Sequence, residues 1–227
     1  SSPRASGSVT LAPDSGDAVA RARWLLDTWA PQPADEPHAV LARTNRELVP
    51  YAAIALERGL SYRIEADGLS LDEPAIHRAL EMADPSHPPL LALQASATRL
   101  GLAHDLTGTL LSWAAAFGSL GALRDALARR SAARGQLASD DAGLTLATIH
   151  GTKGLEWDHV VCIGHDEGTF PSGRALNEAQ DPRRVLEEER RLAYVAWTRA
   201  RKSLTIVYDP GAPSTFVLEA FDPAELP

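Results

Sequence analysis

LTLATIHGTKGLEWDHVVCI (residues 144–163) is the stretch whose reading decides the fold. It predicts an apolar strand over 144–149, a glycine-flanked polar turn, and a second apolar strand over 159–164. Short apolar runs bounded by turn residues suit strands buried on both faces, as in the parallel sheet of an α/β protein. A short loop then leads to EEERRLAYVAWTRA (187–200), a segment that carries Arg199 near the end of a charged helix predicted from about Pro182 to Arg201. SLTIVYD (203–209) is a final strand.

The same rhythm runs upstream. SVTLAP (8–13) alternates like a strand, and GDAVARARWLLDTW (16–29) spaces its apolar residues as a helix does. PQPADEP (31–37) is a proline-rich loop. HAVLAR (38–43) suits a buried parallel strand, and Thr44-Asn45 can cap a helix running from near Arg46 to Arg58, with Gly59 as its stop. SYRIEA (61–66) is strand again. Strand–helix–strand order signals an α/β layer with a parallel sheet. DEPAIHRALEM (72–82) is a helix with proline in its first turn, and ADPSHPP (83–89) breaks the pattern. Residues 90–134 are rich in Ala, Leu and Arg and predict two or three short helices without strands.

Composition bounds the function. The 227 residues, 44% of them hydrophobic, suffice for one large domain or two small ones with a real core. No apolar run approaches the roughly 20 residues that span a bilayer, and no signal-peptide pattern is present, so no membrane partner is expected. Cys162 is the one cysteine, which excludes an internal disulfide and fits a reducing, cytoplasmic compartment. SSPRASGS looks like a flexible lead-in, and the initial serine suggests a fragment of a longer chain. The net charge of −8 argues against holding nucleic acid by global electrostatics, though not against a local basic groove. The acidic residues of EEER read as a solvated helix face.

Two constellations carry chemistry. In His150–Glu156 (HGTKGLE), a polar turn follows a buried parallel strand, where open α/β sheets bind ligands. Its glycines permit close backbone approach to a phosphate or sugar, Lys153 supplies a point charge, and Glu156 an acceptor for a ribose hydroxyl. Taken alone, the segment reads equally well as a glycine-rich turn with a solvated lysine. In Tyr194–Ala200 (YVAWTRA), Arg199 at a helix end can reach across a cleft and neutralise charge on a transferring γ-phosphoryl group. Taken alone, such an arginine is ordinarily a partner of the helix dipole.

In this order and separation, the segments are more specific than either is alone. TIHGTKGLEWDHV (148–160), EGTFP (167–171) and EEERRLAYVAWTRA resemble motif V, its trailing loop and motif VI of the UvrD/PcrA/Rep family of superfamily 1 DNA helicases. VLARTN (40–45) and GLSYRIE (59–65) are similar to the early second-domain segment of that family, so the resemblance covers roughly 140 residues. It implies that Thr148, His150 and Lys153 face DNA, that Gly154 belongs to the motif V turn, that Glu156 contacts the ATP ribose, and that Arg199 reaches the γ-phosphate. It implies a fold role for Arg43 and Asn45. Trp197 departs from the small or aliphatic residue usual before the Thr-Arg pair and is read as core packing.

No GxxxxGK[ST] phosphate loop and no QxNYRS motif occurs in the sequence, and LSLDEP (69–74) reads as a helix start rather than a magnesium-binding strand end. The resemblance is therefore to the second RecA-like domain alone. It implies a partner, the N-terminal RecA-like domain of the same protein, which would bind most of the ATP and its Mg²⁺. Residues 83–139 fall where the family places a large accessory helical subdomain, and are far shorter. Trp113 in LLSWAAAF is read as core rather than as a base-stacking platform. His150, His159 and His165 lack metal-ligand spacing, and there is no GxSxG nucleophile elbow.

The expectation is a RecA-like (P-loop NTPase-type) α/β domain with a parallel sheet flanked by helices. Residues 8–82 and 140–221 would form the sheet domain and 83–139 a small all-helical insertion. The implied function is the second motor domain of an ATP-dependent helicase or translocase moving 3′ to 5′ on single-stranded DNA, with Arg199 completing the ATP site. The alternative is a module of helicase descent that binds DNA or protein without hydrolysis. A third reading, the helicase half of a recombination nuclease, needs carboxylate motifs that the sequence does not show.

Overall fold

A computed structural model describes residues 7–14, 16–29, 36–65, 74–133, 143–152 and 154–222, with 224 and 226. Six strands are described: β1 (Ser8–Pro13), β2 (His38–Ala42), β3 (Tyr62–Glu65), β4 (Leu144–Thr148), β5 (Trp157–Cys162) and β6 (Ala200–Tyr208). They form one sheet in the order β1-β6-β5-β2-β4-β3, and every pairing is parallel. Parallel neighbours require crossovers, which the helices supply. These are α1 (Ala18–Trp29), α2 (Asn45–Arg58), α3 (Pro74–Met82), α4 (Pro89–Leu100), α5 (His104–Ala114), α6 (Leu120–Ala133), α7 (Gly173–Glu178), α8 (Pro182–Trp197) and α9 (Thr215–Ala220).

The strands alternate between two cores. Val40, Ala42, Leu144, Leu146 and Val161 join α1, α2 and the helices α3–α6 on one face. Ala39, Leu41, Ala147, Val160, Cys162, Leu204 and Ile206 join Ala193 and Ala196 of α8 and Phe216 and Val217 of α9 on the other. Every residue of β2 is buried, which is why HAVLA shows no polar alternation. Trp113 is fully buried in the same core as Leu48, Ile54 and Leu93, as read from its flanking leucines. The 90–134 region holds α4, α5 and α6 and no strand among its described residues.

Local signals explain most boundaries. The Glu47 carboxylate accepts from the Thr44 N–H (2.9 Å) and from its Oγ1 (2.7 Å), closing the start of α2. Gly59 ends that helix in the left-handed region, at φ +68°. Asp181 caps α8 by accepting from the Arg184 N–H at 3.2 Å.

Several elements differ from the sequence reading. β5 starts at Trp157 rather than at residue 159, because Trp157 and the strand after it pair with β6 across a register irregularity. The helix predicted to Arg201 ends at Trp197, and β6 begins at Ala200, so Arg199 lies in the turn between them. The short helices α7 and α9 were not anticipated; both are single-turn elements started by a serine cap, Ser172 and Ser214, too brief for periodicity to show. The segments 30–35, 66–73 and 134–142 lie outside the described residues, and with them most of PQPADEP and LSLDEP.

Candidate nucleotide and nucleic-acid site

The connection from β4 to β5 is the centre of the site. The two strands are parallel and β2 lies between them, so residues 149–156 must carry the chain from the carboxyl edge of the sheet back to its amino edge. Eight residues is short for that passage. The chain makes it with a tight 3₁₀ turn, Ile149–Thr152, packed under α8, and a left-handed residue, Gly154 at φ +79°. Ile149 and Thr152 are buried, and Thr152 Oγ1 donates to the Ile149 carbonyl at 2.7 Å.

This corrects the reading of HGTKGLE as one ligand-binding turn at a strand end. Thr148 and His150 lie at the carboxyl edge, whereas Gly154 and Glu156 lie at the amino edge, beside the start of β5. Five residues of strand separate such edges by about 17 Å. Lys153 lies outside the described residues.

At the amino edge, Arg199 is held by backbone and side-chain contacts. Its carbonyl accepts from the Trp157 N–H at 3.0 Å, the first rung between the turn and β5. Its guanidinium donates to the carbonyls of Val195 (Nε, 3.0 Å) and Leu155 (Nη1, 3.2 Å) and to Thr198 Oγ1 (Nη2, 3.3 Å). The cation thus sits on the last carbonyls of α8, where a helix end attracts positive charge, and at the same time pins the 154–156 turn. Glu156 is exposed and meets Arg201 Nε at 3.2 Å. Arg199, Glu156 and Arg201 therefore converge on one edge, whereas the sequence had placed only the first two in a common site. Nothing in the pattern ARKSL marked Arg201 out from an ordinary strand arginine.

At the carboxyl edge, Arg43, His150, Ala175, Glu188, Glu189 and Arg191 border an open groove of about 470 Å³. Thr148 ends β4 opposite Ala42, immediately before Arg43. Arg43 is occupied by a buried carboxylate: Nε lies 3.0 Å from both oxygens of Glu189, and Nη2 lies 2.7 Å from Oε1. The Ser172 N–H donates to the same carboxylate at 3.1 Å. Glu189 is only 3% exposed, so the reading of EEER as a solvated face fails at this position. The signal was available, because Glu189, Ala193 and Ala196 are spaced i, i+4, i+7 and share the buried face of α8. The fold role expected of Arg43 is visible in this pair.

A parallel sheet wound with helices on both faces defines an α/β domain, here with an arginine in the turn before its last long strand. Residues 118–210 match the model of the UvrD-like helicase C-terminal domain, so this part of the chain is similar to that family. The match starts after VLARTN, so that segment lies outside it. DNA helicase II of Rickettsia typhi is 52% identical over 65 residues, 29% of this chain and 10% of the relative. DNA helicase II of Escherichia coli is 46% identical over 77 residues, 34% of this chain and 10% of the relative. The chain thus spans about a tenth of the length of these curated relatives. A solved structure described as the C-terminal domain of a possible DNA helicase from Lactobacillus superposes with TM-score 0.42 at 13% identity, covering 95% of this chain and 81% of that one.

Proposed function

We propose that the chain is the second motor domain of an ATP-dependent DNA helicase or translocase that moves 3′ to 5′ on single-stranded DNA. Its partner is the N-terminal RecA-like domain of the same protein, with ATP in the cleft between the two. The observation that carries the reading is the division of the motif V and VI residues between edges. Glu156 and Arg199 share the amino edge, whereas Thr148 ends β4 at the carboxyl edge, where His150 borders the groove. A motor needs nucleotide and nucleic acid at separate places on one rigid body, so that closure on one moves the grip on the other.

The residues present fit a nucleotide phosphate. The Arg199 guanidinium spends its donors on two neutral carbonyls and a hydroxyl. A phosphoryl oxygen is the stronger acceptor for that planar fork, so the same side chain can exchange those contacts for charge-assisted ones. Glu156, exposed and bridged only to an exposed arginine, is available to accept from a ribose hydroxyl. Mg²⁺ is assigned to the first motor domain. Among the described residues, no group of three or more His, Cys, Asp or Glu side chains is placed to hold a metal ion.

The test is single-strand-stimulated ATP turnover by the full-length protein, with Arg199→Ala alongside. Loss of a transition-state arginine lowers turnover by about 10³-fold or more while nucleotide affinity is largely kept. Lost affinity with unchanged residual turnover contradicts the role of Arg199. The second reading, a binding module without hydrolysis, draws on the self-contained capping of α8 by Arg199, which requires no nucleotide. Wild-type protein that shows no turnover decides for it.

A further inference from the structure

Glu189 is a buried charged group that the proposed chemistry does not use. Its carboxylate sits at the middle of α8, fixed by Arg43 from the end of β2 and by the Ser172 N–H from the loop that precedes α7. Arg43 borders the groove that also holds His150. At the end of the same helix, Arg199 is bonded to Val195 and Leu155. The helix from Glu189 to Trp197 makes a rigid rod about 12 Å long, and Arg199 lies in the turn that follows.

We propose that Glu189 is a positioning residue that couples the groove at the carboxyl edge to Arg199 at the amino edge. The inference rests on the motor reading given above. A nucleic-acid strand in the groove that draws on or displaces Arg43 disturbs its pairing with Glu189. Leaving a buried carboxylate without its cation is costly, so α8 follows Arg43 rather than parting from it. Movement of α8 changes the carbonyls that hold Arg199 and the Leu155 contact that pins the 154–156 turn. The ion pair thereby transmits occupancy of the groove to the edge that faces nucleotide, and by reciprocity the state of that edge to the groove. The bidentate pair with a third donor on the same carboxylate ties three separate segments to one charge.

The experiment uses the full-length protein. Glu189→Gln keeps the shape and one acceptor oxygen but removes the charge. DNA-independent ATP turnover, maximal turnover at saturating oligo-dT, and oligo-dT affinity by fluorescence anisotropy are measured together. The expected result is basal turnover and affinity within about threefold of wild type and a loss of DNA stimulation of about tenfold or more, the size of an ordinary coupling. A folded Glu189→Gln protein with full stimulation overturns the proposal. So does weakened affinity with unchanged maximal stimulation, which would make the pair a binding determinant.

Arg43→Met with Glu189→Met separates coupling from packing, since an apolar pair of similar volume can replace a buried ion pair without loss of stability. Restored melting temperature with stimulation still lost supports the coupling, and stimulation that returns with stability overturns it. Wild-type protein without DNA-stimulated turnover removes the motor reading and the coupling together. Stimulated wild-type protein beside an unaffected Glu189→Gln removes the coupling alone.

Discussion

Trp197 donates its indole N–H to Nε2 of the fully buried His165 at 2.9 Å. The two rings stack with centroids 5.7 Å apart, and Phe221 flanks the indole at 6.2 Å. Trp197 is the last residue of α8, two before Arg199, and His165 follows β5 at the far edge of the sheet. The pair therefore links the two edges through side chains alone. The bond fixes the tautomer, because Nε2 can accept only when it carries no proton. Core packing, the sequence reading of Trp197, accounts for the ring and not for this polar contact.

Trp197→Phe keeps an aromatic ring but leaves His165 Nε2 buried without a donor. An unsatisfied buried group costs about 1–3 kcal/mol, a drop in melting temperature of about 2–4 °C per kcal/mol for a domain of this size. Adding His165→Phe removes the other partner, and most of the loss should return. Thermal melts of the two proteins decide the matter: a double variant less stable than Trp197→Phe would mean that shape, not the hydrogen bond, matters here.

Two buried groups give stability opposite dependences on pH. Burial lowers His165 to about 4, from an ordinary 6.5. Between those values the unfolded chain binds a proton that the folded one refuses, so this contribution is complete above 6.5 and is lost as pH falls toward 4. Burial raises Glu47 to about 7, against the opposing bonds from Thr44. There the folded chain holds the extra proton, and stability present below 4.5 is lost as pH rises through about 7. His38, lowered by burial, adds to the first slope, and Asp166, raised by burial, adds to the second. The wild-type profile should be nearly flat between pH 5 and 6.5, the range in which both groups act. In urea melts across that range, Glu47→Gln should gain stability with rising pH and His165→Gln should lose it. Slopes of the same sign in the two variants would refute the pairing.

Gly164 has φ +69°, and a Cβ there would lie 1.9 Å from Glu47 Oε1 and 3.2 Å from Thr169 Cγ2. Gly168 has a similar φ of +80°, and a Cβ there would meet nothing within 4 Å. Alanine at either position bears left-handed strain of about 1–2 kcal/mol. Only Gly164→Ala must also push the Glu47 carboxylate off the start of α2, which adds the loss of a cap, about 1 kcal/mol. Equal destabilisation by the two substitutions in chemical melts would show that the close approach of Glu47 carries no energy.

Trp113→Ala empties a fully buried site shared with α2 and should cost about 3–5 kcal/mol. Affinity for a single-stranded oligonucleotide should stay within about twofold, because the residue is sealed in the helical core on the opposite face from α8. Selective loss of single-strand binding by a normally folded protein would assign Trp113 to the nucleic-acid surface instead.

Local rules made much of this chain legible. The order of strands and helices, the α2 cap at Thr44 and stop at Gly59, and the burial of β2 and Trp113 all follow from periodicity, capping and apolar runs. These depend on neighbours a few positions away, so their signal is written along the chain. The family resemblance was likewise legible, because motifs V and VI keep their residues in fixed sequence order.

Only the tertiary structure decided where those residues stand. HGTKGLE reads as one turn, yet it spans both edges of the sheet, because β2 inserts between β4 and β5 and forces the connection to cross a face. Glu189 looks like one more charge in EEER until Arg43, 146 positions away, is brought against it. Trp197 finds its acceptor 32 positions back in His165. Strand insertion order and partners so distant in sequence are set by which surfaces bury together, a property of the whole packed sheet that no local pattern encodes.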